Sequence, residues 1–286
     1  MIVSNLEQAK AYLPSVNTLV ANDRLTDFFR RAQEWVSEKI IGTDIEGTLE
    51  IDIPENAPDP HERLRMIVSR VICELAYSDA VSELDLQLSE AGFVVQSNQM
   101  VSPASQQRMD RLVNSLKQRM VADCDGLVRY LIKNSRHHDA YDDWRGTEQF
   151  AFLTQAFTPT MEDAVRSTMT GEDAPSTWPD FHGLLPEMAQ AIQNVAAPYV
   201  SQEELARLIE LYRDGKTLNV HNRAIGHLRR VAVKETLGDH AGAVRAAIQA
   251  RKVMVANEGS FPDFAASDRR TLDTVNFGNG PSMNCL

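Results

Sequence analysis

The chain has 286 residues, 43% hydrophobic and 24% charged, with a formal charge of −11. That length suits one large domain or two ordinary ones, and the composition is that of a soluble globular protein rather than a fibrous or disordered one. So acidic a chain is a poor general grip for a phosphate backbone, although an acidic lumen lets a duplex slide without being held. No window holds the roughly 18 apolar residues needed to cross a bilayer, and the N-terminus lacks a basic region followed by an apolar core, so the expected location is cytoplasmic at synthesis, with no membrane partner. Cys73, Cys124 and Cys285 are odd in number and far apart, and the first two fall inside long helical patterns, where buried free thiols are expected.

In chain order, residues 4–13 read as a short helix capped by Ser4 and ended by Pro14. Residues 22–41 read as a stronger one, with Leu25, Phe28, Phe29, Ala32, Trp35, Val36 and Ile40 on one face and Gly42 as its stop. Thr48 to Ile53 alternates apolar and polar and reads as a short strand or extended segment. Pro54, Pro58 and Pro60 make a stiff link into the central feature, two long amphipathic helices over 61–88 and 104–133. The first places Leu64, Ile67, Val68, Val71, Ile72 and Leu75 on one stripe, and the second does so with Met109, Leu112, Val113, Leu116, Met120, Leu127 and Leu131. Between them, Gly92 stops the helix, Phe93 to Gln96 is β-prone, and Ser102-Pro103 opens the next helix. The pattern predicts a helical hairpin carrying a β-like arm, whose apolar residues Phe93, Val94, Val95 and Met100 either fold back on the hairpin or pair with an edge in a neighbour.

The interval 134–146 is the most polar in the chain. A short piece over 148–157 follows, anchored by Phe150, Phe152, Leu153 and Phe157, and the proline-rich stretch 158–186 reads as a connection between halves. The second half is again helical. A helix over 185–197 stops at Pro198, and Ser201 with Glu204 forms a capping box before a helix ending at Gly215. Another spans 217–237, and Asp239 caps the last, alanine-rich helix. The expected fold is mainly α, in two helical bundles. The expected parts are an N-terminal domain at 1–157, a linker at 158–186, a C-terminal bundle at 187–259 and an extended tail at 260–286.

Chemistry-bearing clusters are few. His137, His138, Asp139, Asp142 and Asp143 offer metal-ligand chemistry, and His138 and Asp142 at i, i+4 can share a helix face; the plainer reading is a solvated turn. His221 and His227, six apart, do not converge on one face. No nucleophile elbow, phosphate loop or dinucleotide fingerprint occurs, so the expectation is a chain that is not an enzyme and carries no cofactor. Arg223, Arg229, Arg230 and Lys234 form a basic strip, extended by Arg245, Arg251 and Lys252. It reads either as a solvated face paired with local acids or as a contact for an acidic neighbouring subunit or for DNA.

The run Asp23-Arg-Leu-Thr-Asp-Phe-Phe-Arg-Arg-Ala-Gln-Glu-Trp-Val36, then Gly42, then Leu64 to Tyr77 resembles the opening of tailed-phage head–tail connector proteins, the adaptors that dock beneath the portal. The shared features are a helix with Leu and Ala seven apart, a glycine stop and a second long helix packed on it. The insert at 90–105 and Asn276-Phe-Gly-Asn-Gly280 resemble a longer class of prophage-encoded proteins. The resemblance covers about residues 20–135, and the chain is about twice the usual adaptor length. It implies a virion structural protein with no catalytic residues, and as partners the portal, other neck or tail proteins and further copies of itself in a ring. It implies at most passage of DNA through a channel, and a final place in the virion neck; the alternative readings are a metal-dependent enzyme using His137, His138 and Asp142, and a helical scaffold or regulatory protein.

Overall fold

In the computed structural model the described residues are 1–3, 6–12, 22–51, 57–84, 87–89, 92–94, 106–135, 142–170 and 174–271. The fold is mainly α, as the periodicity predicts. The chain divides into two compact units. The first is Met1–Ala151 with Pro175–Phe181, and the second is Phe152–Ala174 with His182–Leu286. The expected linker 158–186 is therefore not a separate piece.

The first unit is built on three helices. α2 (Asn22–Val36) continues as a π-helical turn, Ser37–Ile41, and stops at Gly42, whose φ of +79° is a backbone state that glycine adopts without a Cβ penalty. α4 (Glu62–Leu84) packs on both α2 and α5 (Gln106–Asn134). At 1.5 Å per residue α5 is about 43 Å long. Leu64, Val68, Val71, Ile72, Leu116, Met120, Leu127 and Leu131 are buried as predicted, while Leu112 and Val113 are only half-buried. The chain between the helices forms β1 (Gln87–Ser89) and β2 (Gly92–Val94), antiparallel with Leu88 opposite Phe93. The described residues between the helices thus form a strand pair, whose first strand takes residues that the helical pattern had claimed.

The strand expected near Thr48 is instead α3 (Thr43–Glu50). Ile45 and Leu49, four apart, are buried, so the alternation is part of a helical face. Buried Gln33 fixes the choice. Its Nε2 donates to Glu46 Oε1 at 2.7 Å and to Glu50 Oε1 at 2.6 Å, and only a helical turn brings those two carboxylates to one amide. The polar interval after α5 holds α6 (Asp142–Arg145), and Trp144 there is fully buried, donating from Nε1 to Ile40 O at 2.8 Å.

In the second unit, part of the stretch read as a connection is packed. Thr158 and Thr160 are buried, and Thr160 caps α8 (Met161–Arg166) by accepting from Asp163 N. α9 (Trp178–Ala191), whose residues up to Phe181 belong to the first unit, starts earlier than expected. Thr177 and Asp180 form its cap, and Phe181, Leu185, Met188 and Ile192 follow at i, i+4, i+7 and i+11. Pro198 does not end this run: a π-helical turn (Ile192–Ala196) leads to α10 (Ala197–Val200), where proline takes an early position that needs no N–H bond. α11 (Gln202–Asp214) ends at left-handed Gly215, and α12 (Asn219–Thr236) packs along α13 (His240–Val255), which Asp239 caps through Gly242 N.

The expected extended tail is corrected over 260–271. Phe261 and Phe264 are fully buried around α14 (Pro262–Ala266). Burying two phenylalanines outweighs ordering a dozen residues only if the backbone is also held, and it is. Glu204 Oε2 accepts from Asp263 N and Phe264 N at 3.1 and 3.0 Å. Arg251 donates to Arg269 O and Arg270 O at 2.9 and 2.8 Å, and His221 Nε2 lies 2.9 Å from Ser260 O. Asn276 and the rest of the tail lie outside the described residues.

Candidate functional site

The helices of the second unit sort the predicted basic strip into two kinds of residue. Seven residues along a helix is close to two whole turns, so Arg223 and Arg230 share a face with His227 and Lys234, at i, i+4, i+7 and i+11. Arg229 lies about 100° away and turns inward. Its Nε donates to Phe157 O at 2.5 Å, Nη1 meets Asp163 Oδ1 at 3.0 Å and Nη2 reaches Tyr212 O–H at 3.3 Å. Arg229 is therefore an internal clamp on the segment before α8, not part of a contact strip. Arg251, bonded to the tail carbonyls, is buried and leaves the strip as well.

The outer stripe remains. Arg223 and Arg230 are exposed, and neither has an ion pair among the described residues. Lys234 is half-buried and pairs with Asp239 at 2.7 Å. Burial, with the cations of Arg230 and Arg223 beside it, pushes His227 below the ordinary imidazole range, so the stripe is a pair of arginines around a neutral ring at pH 7. From 219 to 256, the α12–α13 hairpin holds seven Lys and Arg against two Asp and Glu, in a chain of net charge −11.

The opposite charge collects on α11. A surface groove of about 500 Å³ is lined by Glu203, Glu210, Asp214 and Asp263 with Arg207 and Lys216. A second, of about 750 Å³, lies beside it between Gln193, Asn194, Gln202, Glu203 and Asp268. Arg207 is committed inward, to buried Glu204 at 2.9 Å and Ser260 O at 3.2 Å. The charged outer surface of this unit, basic on α12 and acidic on α11, is the candidate interaction site.

Sequence reasoning missed a buried acid in the first unit, set against the half-buried Asp123. Glu74 on α4 is 2% exposed, and its Oε2 has no hydrogen-bond partner among the described residues. Burial, then the charge of Asp123 and a hydrogen bond shared with it, pushes Glu74 up to about 8, while Arg119 and Arg70 pull less strongly the other way. Arg70 itself reaches Asp123 at 3.4 Å. Glu74 therefore keeps a proton near neutrality. Its neighbours Cys73 and Cys124 are free, buried thiols, as predicted. Burial pushes Cys73 up to about 12 and Cys124 well above its usual value, which makes both poor nucleophiles. A signal for Glu74 exists in the sequence. From Val68 to Ala76 every residue but Ser69, Arg70 and Glu74 is apolar, so the helix leaves an acid little exposed face to occupy.

Of the other predicted site residues, His137 and His138 lie outside the described residues, and Asp142 opens α6. Among the described residues no three His, Cys, Asp or Glu side chains are grouped so as to hold a metal ion. Phe93 and Val94 sit in β2, and Val95 and Met100 lie outside the described residues. No helix among the described residues is long and apolar enough to cross a membrane.

Compared with known proteins, the chain matches no curated protein and no solved structure. Over residues 18–152, a little under half of its length, it is similar to a family of unknown function, DUF6712.

Proposed function

We propose that this protein is a structural, non-catalytic subunit of a phage or prophage neck, a head–tail connector that docks to the portal and assembles as a ring around the DNA channel. One observation carries the reading. The residues that resemble the adaptors, 23–36, Gly42 and 64–77, fold as a helix, a glycine stop at φ +79° and a second long helix packed back on the first. That is the arrangement the resemblance calls for. The same residues fall within 18–152, the interval similar to a family whose function is unknown. A long hairpin with a strand pair at its end adds support, because a strand edge pairs readily with a neighbouring chain.

The test is mass photometry and negative-stain microscopy of the full chain, alone and mixed with a phage portal protein. A ring on the portal is the expected result. Monomers in both samples overturn the proposal.

A further inference from the structure

The two charged stripes of the second unit have the same spacing. α11 carries Glu203, Arg207, Glu210 and Asp214 at i, i+4, i+7 and i+11, and α12 carries Arg223, His227, Arg230 and Lys234 at the same four steps. Laid side by side in parallel, the stripes bring Glu203 to Arg223 and Glu210 to Arg230, two matches about 10 Å apart along the helices; the fourth step sets Asp214 by Lys234, each of which also has an ion partner in its own chain, Lys216 and Asp239. Glu203, Glu210, Asp214, Arg223 and Arg230 are exposed. The second position, Arg207 against His227, sets no two free cations together. Arg207 is spent on Glu204 and Ser260 O, and His227 is neutral at pH 7.

One chain cannot make this match with itself. That register sets Asn219 level with residue 199, about 22 Å back along α11 from Asp214. The five peptide steps from Asp214 to Asn219 reach at most about 18 Å. The match is available only between two molecules.

We infer that the α12 stripe of one copy docks in parallel against the acidic α11 groove of a second copy. The inference rests on the reading of this protein as an assembling subunit and names the surface it uses. The two faces differ, so the contact is head-to-tail. Each copy keeps one face of each kind free, and repetition gives a closed ring or a filament rather than a two-fold dimer. Exposed charge pairs are individually weak and screened by salt, so the assembly forms at low ionic strength and high local concentration.

The experiment uses the full chain and reads mass by sedimentation velocity at about 50 mM and about 500 mM salt, two conditions with very different screening. Oligomers at low salt that dissociate at high salt are expected. Arg223→Glu/Arg230→Glu and Glu203→Arg/Glu210→Arg are each expected to weaken self-association at least tenfold, with unchanged circular dichroism. An equimolar mixture of the two variants is expected to regain it, because each reversed face then meets its complement. Wild-type monomers at low salt, or variants that assemble like wild type, overturn the inference. So does a loss of duplex-DNA binding on Arg223→Glu/Arg230→Glu with self-association unaltered, which assigns the stripe to nucleic acid. If wild type still joins the portal while these tests fail, the surface assignment falls and the connector reading stands. If the mixture rescues assembly but no portal complex forms, the reverse holds.

Discussion

Among the described residues each unit buries one glutamate, Glu74 in the first and Glu204 in the second, and the two are kept in opposite ways. Glu204 is surrounded by donors: two backbone N–H groups of α14 and the Arg207 guanidinium. Glu74 faces another acid, Asp123, and one of its oxygens has no partner among the described residues. Burial raises both carboxyls; for Glu204 the Phe264 N–H and Arg207 pull it part of the way back, against a smaller push from Asp263, while for Glu74 the charge of Asp123 adds more to the rise than Arg119 and Arg70 each take away. Burial alone does not decide what a carboxyl does, since the groups within hydrogen-bond reach set whether it works as a charge or as a neutral donor. In the second unit the charge is a tie that fixes the chain after α13. In the first it is suppressed inside a helix interface.

The sharpest way to break this comparison is to remove the tie. Glu204→Ala leaves the half-buried Arg207 short of its counter-ion and two N–H groups at the start of α14 without an acceptor. A buried donor left without an acceptor costs about 1–3 kcal/mol, and two are stranded here. The loss is expected to fall first on 258–271, read as faster amide exchange and protease cleavage there before global unfolding. Glu204→Gln keeps an oxygen acceptor and recovers part of the loss. Equal protection of 262–266 in wild type and Glu204→Ala would show that Phe261 and Phe264 hold the segment unaided.

How much of this was legible follows the distance over which each residue acts. Ser201, Gly215 and Asp239 act within three or four residues, and their caps and stop were readable from the sequence. Glu204 sat in the same motif, yet its side chain acts on Phe264, 60 residues on, and so half of the predicted capping box is not formed. Arg229 and Arg230 are adjacent in sequence but point about 100° apart, which a helical wheel separates and a charge run does not. The stretch at Thr48 failed for a different reason: Leu49 belongs to two patterns, an alternation with Ile51 and Ile53 and a four-residue step from Ile45, and the arbiter was Gln33, on another helix. The candidate contact surface was half legible, because its basic side is a local pattern while its acidic side needs the groove shape at Glu203 and Asp263.

A smaller effect sharpens the comparison from the other side. The Glu74 carboxyl has its folded value raised to about 8 from an unfolded value near 4.5. The folded state therefore binds more protons between those values. Its contribution to stability is fully present below about pH 4.5 and is lost as pH rises through about 8. Glu74→Gln supplies a neutral group that still donates to Asp123, so the variant is expected to match wild type near pH 5 and to exceed it by about 2 kcal/mol near pH 9. Urea unfolding across that range decides it. Parallel pH profiles would mean that Glu74 ionises freely in the fold.

The smallest expected effect lies at the joint before α11, where two local rules oppose each other. Ser201 holds φ +69° and ψ 153°, a combination favoured by glycine, while its Oγ accepts from Glu204 N at 3.2 Å. Ser201→Ala keeps the strained backbone and loses the cap, at a cost of about 1–2 kcal/mol. Ser201→Gly also loses the hydroxyl, which at a cap costs only a few tenths of a kcal/mol, and it relieves about 1–3 kcal/mol of strain. Greater freedom of glycine in the unfolded chain takes back about 0.5–1 kcal/mol. Ser201→Gly is therefore expected within about 1 kcal/mol of wild type and above Ser201→Ala, in thermal unfolding of the full chain. An alanine variant as stable as the glycine one would show that the positive φ is not strained. The start of α11, and with it the height of Glu203 on the acidic stripe, would then be set by packing of Leu205 and Leu208 rather than by the joint.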